Sequence, residues 1–179
     1  MGSIKKEQIE CAKEFENLIF DSLQSEKGIH AETAVAASAR MAGTFLFRSF
    51  GFPIKGIEPG QPVFSDAANE QGPKLMGLLD SALKQMGLNI DQKQLETADH
   101  TSNPPMFDLL EMQEKLEPGM TLIKERLVLS YQEMAESAAI CTASIIVKCS
   151  KVLTPNVAFK IAVFGMVEGS KTAPRTIKN

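Results

Sequence analysis

An all-α protein, a helical bundle of about five main helices with one long central helix, is the fold that this sequence predicts. The first reason is the stretch from Met120 to Val152. An apolar or small side chain recurs there at Met120, Ile123, Leu127, Tyr131, Met134, Ala138, Cys141, Ile145, Cys149 and Val152, in unbroken steps of three and four. That is one face of a helix. The second reason is that most other apolar residues recur with the same period in shorter stretches. The third is where the breakers sit: Pro53, Gly56, Pro59, Gly60 and Pro62 crowd between Gly51 and Ser65, a density that rules out helix and marks an ordered crossing loop.

In chain order, Ser3 to Lys27 reads as the first helix, with Ala12, Phe15, Ile19 and Leu23 on one side and Gly28 as its stop. Its Glu7, Glu10, Glu14 and Glu16 beside Lys5, Lys6 and Lys13 read as a solvated face with pairs internal to the helix. Ala31 to Phe50 is the second helix. Ala31, Ala34, Ala36, Ala37, Ala39, Ala42 and Gly43 spread small side chains around the cylinder, so neighbouring backbones approach closely and the helix belongs in the middle of the bundle.

After the crossing loop, Ser65 or Asp66 caps a short turn and Gly72-Pro73 fits a helix start, followed by the stripe Leu75, Leu79, Leu83 and Met86. Asn89 to Pro105 is polar and reads as exposed loop. Met106 to Leu116 is a short helix that breaks at Glu117-Pro118-Gly119, and the long helix follows. Between Ser137 and Val147 the long helix carries no charge, which predicts enclosure on most sides. Thr154-Pro155 caps a last apolar segment, Asn156 to Val167, read as helix although its alternation through Val157, Phe159, Ile161 and Val163 also suits a strand. Residues 1–170 form one helical domain and 171–179 a tail.

Composition limits the functions on offer. With 19 basic and 22 acidic residues the net charge is −3, which gives no general field to hold nucleic acid or an anionic membrane. Lys148, Lys151 and Lys160 interrupt the most hydrophobic region, so no stretch reaches the roughly 18 apolar residues of a membrane span. Cys11, Cys141 and Cys149 are odd in number and lack metal-type spacing, so reduced, buried thiols are expected. Ile4-Lys5-Lys6-Glu7 runs straight into a charged pattern rather than a secretory leader, and a cytoplasmic protein is expected.

No motif carries chemistry. Gly165-Met166-Val167-Glu168-Gly169-Ser170-Lys171-Thr172 comes within one residue of a phosphate-binding loop, with Ser170 where the second glycine belongs. Such a loop sits between a strand and a helix whose N-terminus holds the phosphate, and only seven residues follow Thr172 here. Di-iron bundles need Glu-x-x-His pairs, yet neither His30 nor His100 has a glutamate three residues before it. Glu96 and His100 lie four apart near Pro104-Pro105, and Asp99, His100 and Ser102 hold the letters of a triad without its spatial convergence. No catalytic residue, metal ligand or cofactor is expected.

The polar group that stands out is His30 and Glu32 at the start of the second helix, with Arg40 two turns on. A buried guanidinium needs a partner, since an unpaired buried ion costs several kcal/mol. Asp66 and Glu70 after the crossing loop, and Glu133 and Glu136 in the long helix, are the candidate partners; the alternative is that Arg40 sits at the edge with its head in water. His30, Glu32, Arg40, Asp66 and Glu70 are therefore the expected ligand-binding residues.

Two functions compete. One is a helical interaction or ligand-binding protein that acts as a homodimer, without nucleic acid or membrane, with an apolar or small-molecule ligand among the core methionines and phenylalanines. The other is an enzyme or small-molecule sensor with a pocket under the 51–65 loop. The dimer follows from length: Gly119 to Val152 as one helix would span about 50 Å at 1.5 Å per residue, against a globule about 41 Å across for a chain of this size. The long helix and the last apolar segment are the expected contact surfaces.

Overall fold

Six helices form among the described residues, which are 3–53, 56–91 and 104–176 of this computed structural model. They are α1 (Lys6–Leu23), α2 (Ala31–Ser49), α3 (Asp66–Gln85), α4 (Leu109–Leu127), α5 (Tyr131–Cys149) and α6 (Pro155–Ser170). The all-α class is as expected, and the last apolar segment is helix. Placed at its first position, Pro155 starts that helix where no N–H is needed.

The central element is α2, buried continuously from Ala31 to Phe47. Its small side chains are the reason: α6 and α5 close on it from different sides, with α4, α1 and α3 completing the shell. The rings of Phe15, Phe45 and Tyr131 stack in series, with centroids 5.9 and 6.3 Å apart, and so join α1, α2 and α5 at one end of the core.

The long helix expected from Met120 to Val152 is two helices. α4 ends at Val128, which adopts a left-handed conformation with φ of 53°. The Leu129 N–H then donates to the Lys124 carbonyl at 3.0 Å and the Val128 N–H to that of Glu125 at 3.3 Å, the paired bonds of a Schellman cap. Ser130 restarts the chain as a capping box: its hydroxyl accepts from the Glu133 N–H, and the Glu133 carboxylate accepts from the Ser130 N–H. The stripe counts straight through this corner because both helices turn their apolar side toward the same core, so periodicity alone does not reveal it.

Val128 is a β-branched residue where glycine is usual, and its side chain is 86% exposed. The left-handed conformation costs an L-residue about 1–2 kcal/mol, and nothing is gained by burying this side chain. Val128→Gly is therefore expected to stabilise the protein by about 1 kcal/mol, after allowance for the extra chain entropy that glycine loses on folding. A urea-unfolding midpoint that falls in the variant would show that the cap is not held in this form.

Two prolines expected to begin or break helices lie inside them. Pro118 sits within α4 and Pro73 within α3. Each removes one bond to the carbonyl four residues earlier, and those carbonyls belong to Glu114 and Asn69, exposed residues like the prolines themselves. On an exposed turn, solvent is free to take the bond that the proline gives up. α3 instead starts at Ser65, whose hydroxyl accepts from the Ala68 N–H at 3.2 Å, and α4 starts at Asp108 in a capping box with Glu111. Gly119 does not break α4 either, because Leu18 of α1 packs where a side chain would stand.

The charged row of α1 makes pairs between helices rather than along itself. Glu14 pairs with Arg126 of α4, Glu16 takes Lys148 and Ser144 of α5, and Lys5 meets Glu133 at 2.5 Å. Lys5 and the Ser130 cap together hold Glu133 down to about 2, far below the ordinary glutamate value of 4.5. A depressed folded-state value adds stability above 4.5, and that stability drains away as the pH falls toward about 2. Glu133→Gln is expected to flatten the acid limb of the stability curve in that window, read from urea-unfolding midpoints. An unchanged acid limb would mean that the Lys5 and Ser130 contacts do not form.

The segment expected as a tail is tied to the bundle as far as Arg175, whose N–H donates to Gln113 and whose carbonyl accepts from Arg48. Residues 60–63 of the crossing loop run beside it: the Gly60 N–H donates to Ala173, the Ala173 N–H to Gln61 and the Val63 N–H to Lys171, at 2.9, 2.8 and 2.7 Å. Ala173 and Pro174 are buried.

Candidate functional site

The axis of the site is a polar row on the otherwise small and apolar α2: Arg40, Thr44 and Arg48, four residues apart and so on one face. Arg40 donates through Nε to Glu168 Oε2 of α6 at 2.6 Å and through Nη1 to the Phe107 carbonyl. Arg48 forks onto both carboxylate oxygens of Glu117 of α4, and its Nη2 also donates to the Arg175 carbonyl at 2.7 Å. Between them Gln113 donates to the Thr44 hydroxyl at 3.0 Å and accepts from the Arg175 N–H at 3.0 Å. Each arginine thus holds one glutamate and one backbone carbonyl. The segment entering α4 and the strap leaving α6 are both clasped to the central helix.

The five residues expected to bind a ligand divide into two groups. His30 caps the start of α2, with Nδ1 2.7 Å from the Thr33 hydroxyl and Nε2 3.3 Å from Glu32. Thr33 also accepts from the Met106 N–H at 3.0 Å. Arg40 belongs to the same side of α2 through neighbouring Phe107. Asp66 and Glu70 lie apart: both are exposed on α3, and Arg40 takes Glu168 instead. Glu133 and Glu136 face α1, where Gln8 donates to Glu136 at 2.7 Å.

Sequence reasoning did not single out Thr44, Arg48, Gln113, Glu117, Glu168 or Arg175. The signal was present as two rows with a spacing of four, Arg40-Thr44-Arg48 and Gln113-Glu117. A proline after Glu117 concealed the second as a helix end.

The row is suited to holding chain segments rather than to proton transfer. Guanidinium groups stay charged and act here as forked donors. Burial pushes the Cys11 thiol up to about 12, and it raises Cys141 and Cys149 as well. Among the described residues no group of three His, Cys, Asp or Glu is placed to hold a metal ion, and no helix is long and apolar enough to cross a membrane. Glu96, Asp99, His100 and Ser102 lie outside the described residues.

The stretch that came near a phosphate-binding loop is the C-terminal half of α6, and its glycines serve packing. A Cβ on Gly169 would meet the Arg40 carbonyl oxygen and stand 2.8 Å from the Thr44 nitrogen. One on Gly43 would meet the Met166 carbonyl oxygen and stand 2.8 Å from the Ser170 nitrogen. α2 and α6 therefore touch backbone to backbone, and that contact sets Glu168 beside Arg40.

The opposite side of α6 is a second feature. Phe164 is 67% exposed there, Val167 is also exposed, and Val157 is half-buried. At one end of the helix Val152 is 81% exposed; at the other Phe64 is 84% exposed, one residue beyond the bond that ties Val63 to Lys171. No family model, curated protein or solved structure matches the chain.

Proposed function

We propose that the protein is a helical interaction protein that works as a homodimer, with the outer face of α6 as its contact. The observation that supports this is the exposed apolar row of Phe164, Val167 and half-buried Val157 on a helix whose other face is fully committed to α2. Contiguous exposed apolar surface on a globular protein marks an interaction site. The long-helix ground for a dimer is gone: the chain turns at Val128, and the charge-free stretch of α5 is buried against α1, α2 and α3. The last apolar segment, the other expected surface, carries the proposal. The buried polar row on α2 keeps α6 and the two clasped segments in place behind it. A reducing compartment, the cytoplasm, fits three free cysteines.

A contact made by one helix and its ends is small among protein interfaces, so a dissociation constant near micromolar is expected. Light scattering at about a hundred times that concentration should give twice the chain mass of 19.5 kDa. Phe164→Glu should return the protein to a monomer with its helical content unchanged. A wild-type mass of one chain at that concentration would remove the dimer.

A further inference from the structure

We infer that the groove under the strap, residues 171–175, is a binding site for an extended peptide which the chain's own strap fills, and that its outside ligand is an extended segment of another protein with a small residue, a proline and an arginine in succession. The strap is held as a bound peptide is, along its backbone. On one side the 60–63 edge of the crossing loop pairs with it antiparallel, Pro62 opposite Thr172. Flanking that pair, the Val63 N–H donates to the Lys171 carbonyl and the Ala173 N–H to that of Gln61, so Pro62 stands where an antiparallel ladder asks for no N–H. On the other side Gln113 accepts from the Arg175 N–H and Arg48 donates to the Arg175 carbonyl. Main-chain bonds of this kind give affinity, and side-chain pockets give the choice of sequence.

Three side chains make that choice. Ala173 is 1% exposed and Pro174 is buried, which selects a small residue followed by one that has no N–H to satisfy. Arg175 donates through Nε to the Leu110 carbonyl at 3.1 Å and pairs with Glu114 at 3.2 Å. The receiving groups do not depend on the strap, because Glu117 holds Arg48 and Thr44 takes the Gln113 amide. A site whose polar groups are fixed beforehand binds at a lower ordering cost. The Arg175–Glu114 pair is open to solvent at 44% and 69% exposure, which gives an incoming segment its first foothold. A second copy gains nothing by exchange, since its strap already makes the same bonds at home. The tethered strap competes at an effective concentration on the order of millimolar, so the site stays closed until the strap is displaced.

The test uses the full chain with Ala173→Asp, which puts a charge where the strap is enclosed and so expels it. A fluorescein-labelled peptide of residues 171–176, followed by anisotropy, should bind this variant at least about tenfold more tightly than it binds the parent, whose own strap competes. The same peptide with aspartate in place of its alanine should bind neither chain. Arg175→Glu, which sets like charges together at Glu114 and spares the buried position, should also bind the peptide more tightly than the parent does. Binding no tighter to either variant than to the parent, at unchanged helical content, would overturn the site. Amide hydrogen exchange gives a second measurement. The Gly60 and Val63 N–H groups should lose protection in Ala173→Asp and regain it when peptide is added, whereas protection that persists without peptide would show that the strap is not what covers this edge. A mass that falls from two chains to one in Ala173→Asp would put a second copy's strap in the groove and overturn the choice of partner.

Discussion

Gly169→Ala is expected to cost at least about 3 kcal/mol, or roughly 6–12 °C in melting temperature for a chain of this length. Propensity alone argues the other way, since alanine in a helix interior is better than glycine by about 1 kcal/mol. Sterics win because of what the methyl meets. The Arg40 carbonyl oxygen, the Thr44 nitrogen and the Gly43 carbonyl carbon all lie within 3.0 Å of the position that Cβ would take. These are backbone atoms of α2, which cannot rotate aside as a side chain could, so the two helices must part. Gly43→Ala should behave likewise, since it would press on the Met166 carbonyl and the Ser170 nitrogen. Gly77 is the control: a Cβ there meets nothing within 4 Å, and it lies in α3. Gly77→Ala should therefore stabilise by about 0.5–1 kcal/mol. Thermal unfolding of the three variants should split in sign. If Gly169→Ala unfolds within about a degree of the parent, α2 and α6 do not meet backbone to backbone.

This pair of helices also shows how far the sequence could be read. The small residues of α2 were legible as the mark of a central helix, because glycine and alanine on several faces have few other uses. Gly165 and Gly169 were equally visible, four apart, yet they read as fragments of a loop motif, since the stretch of α2 they pack against, from Ala36 to Thr44, lies more than a hundred residues away and spacing within one segment does not report contacts between segments. The corner at Val128 was hidden for a different reason: a left-handed valine carries no compositional mark, and the S-x-x-E capping box at Ser130 sits inside an uninterrupted apolar stripe. Pro118 and Pro73 misled in the opposite direction. A helix accepts proline on its wet face, and which face is wet is decided by tertiary packing. Of the site, His30, Glu32 and Arg40 were legible as polar groups out of place on an apolar helix. Glu168, the partner of Arg40, was not, because an acid next to two glycines and a lysine near the end of the chain looks solvated.

Arg48→Met is expected to cost about 3–5 kcal/mol, the penalty for stripping one partner from an enclosed ion pair. The carboxylate it abandons is Glu117, whose side chain is only 5% exposed and which receives both forks of the guanidinium. With the cation gone that charge has no water to turn to, and the Arg175 carbonyl loses its Arg48 donor as well. Arg40→Met makes the comparison, because its carboxylate, Glu168, is 27% exposed and can rehydrate. A loss of about 1.5–3 kcal/mol, the usual contribution of a charge-assisted hydrogen bond, is expected there. Arg48→Lys keeps the charge but not the fork, and it should fall between Arg48→Met and the parent. The double variant Arg48→Met with Glu117→Met should recover most of the loss, since no unpaired charge remains and two apolar side chains of similar volume pack in the same space. Urea unfolding gives all four values, and limited trypsin digestion gives an independent reading of the strap. Cleavage at Lys171 and Arg175 should speed up in Arg48→Met at urea concentrations where the helices are still folded. Equal losses for Arg48→Met and Arg40→Met, with no faster cleavage, would show that burial of Glu117 does not set the strength of this clasp.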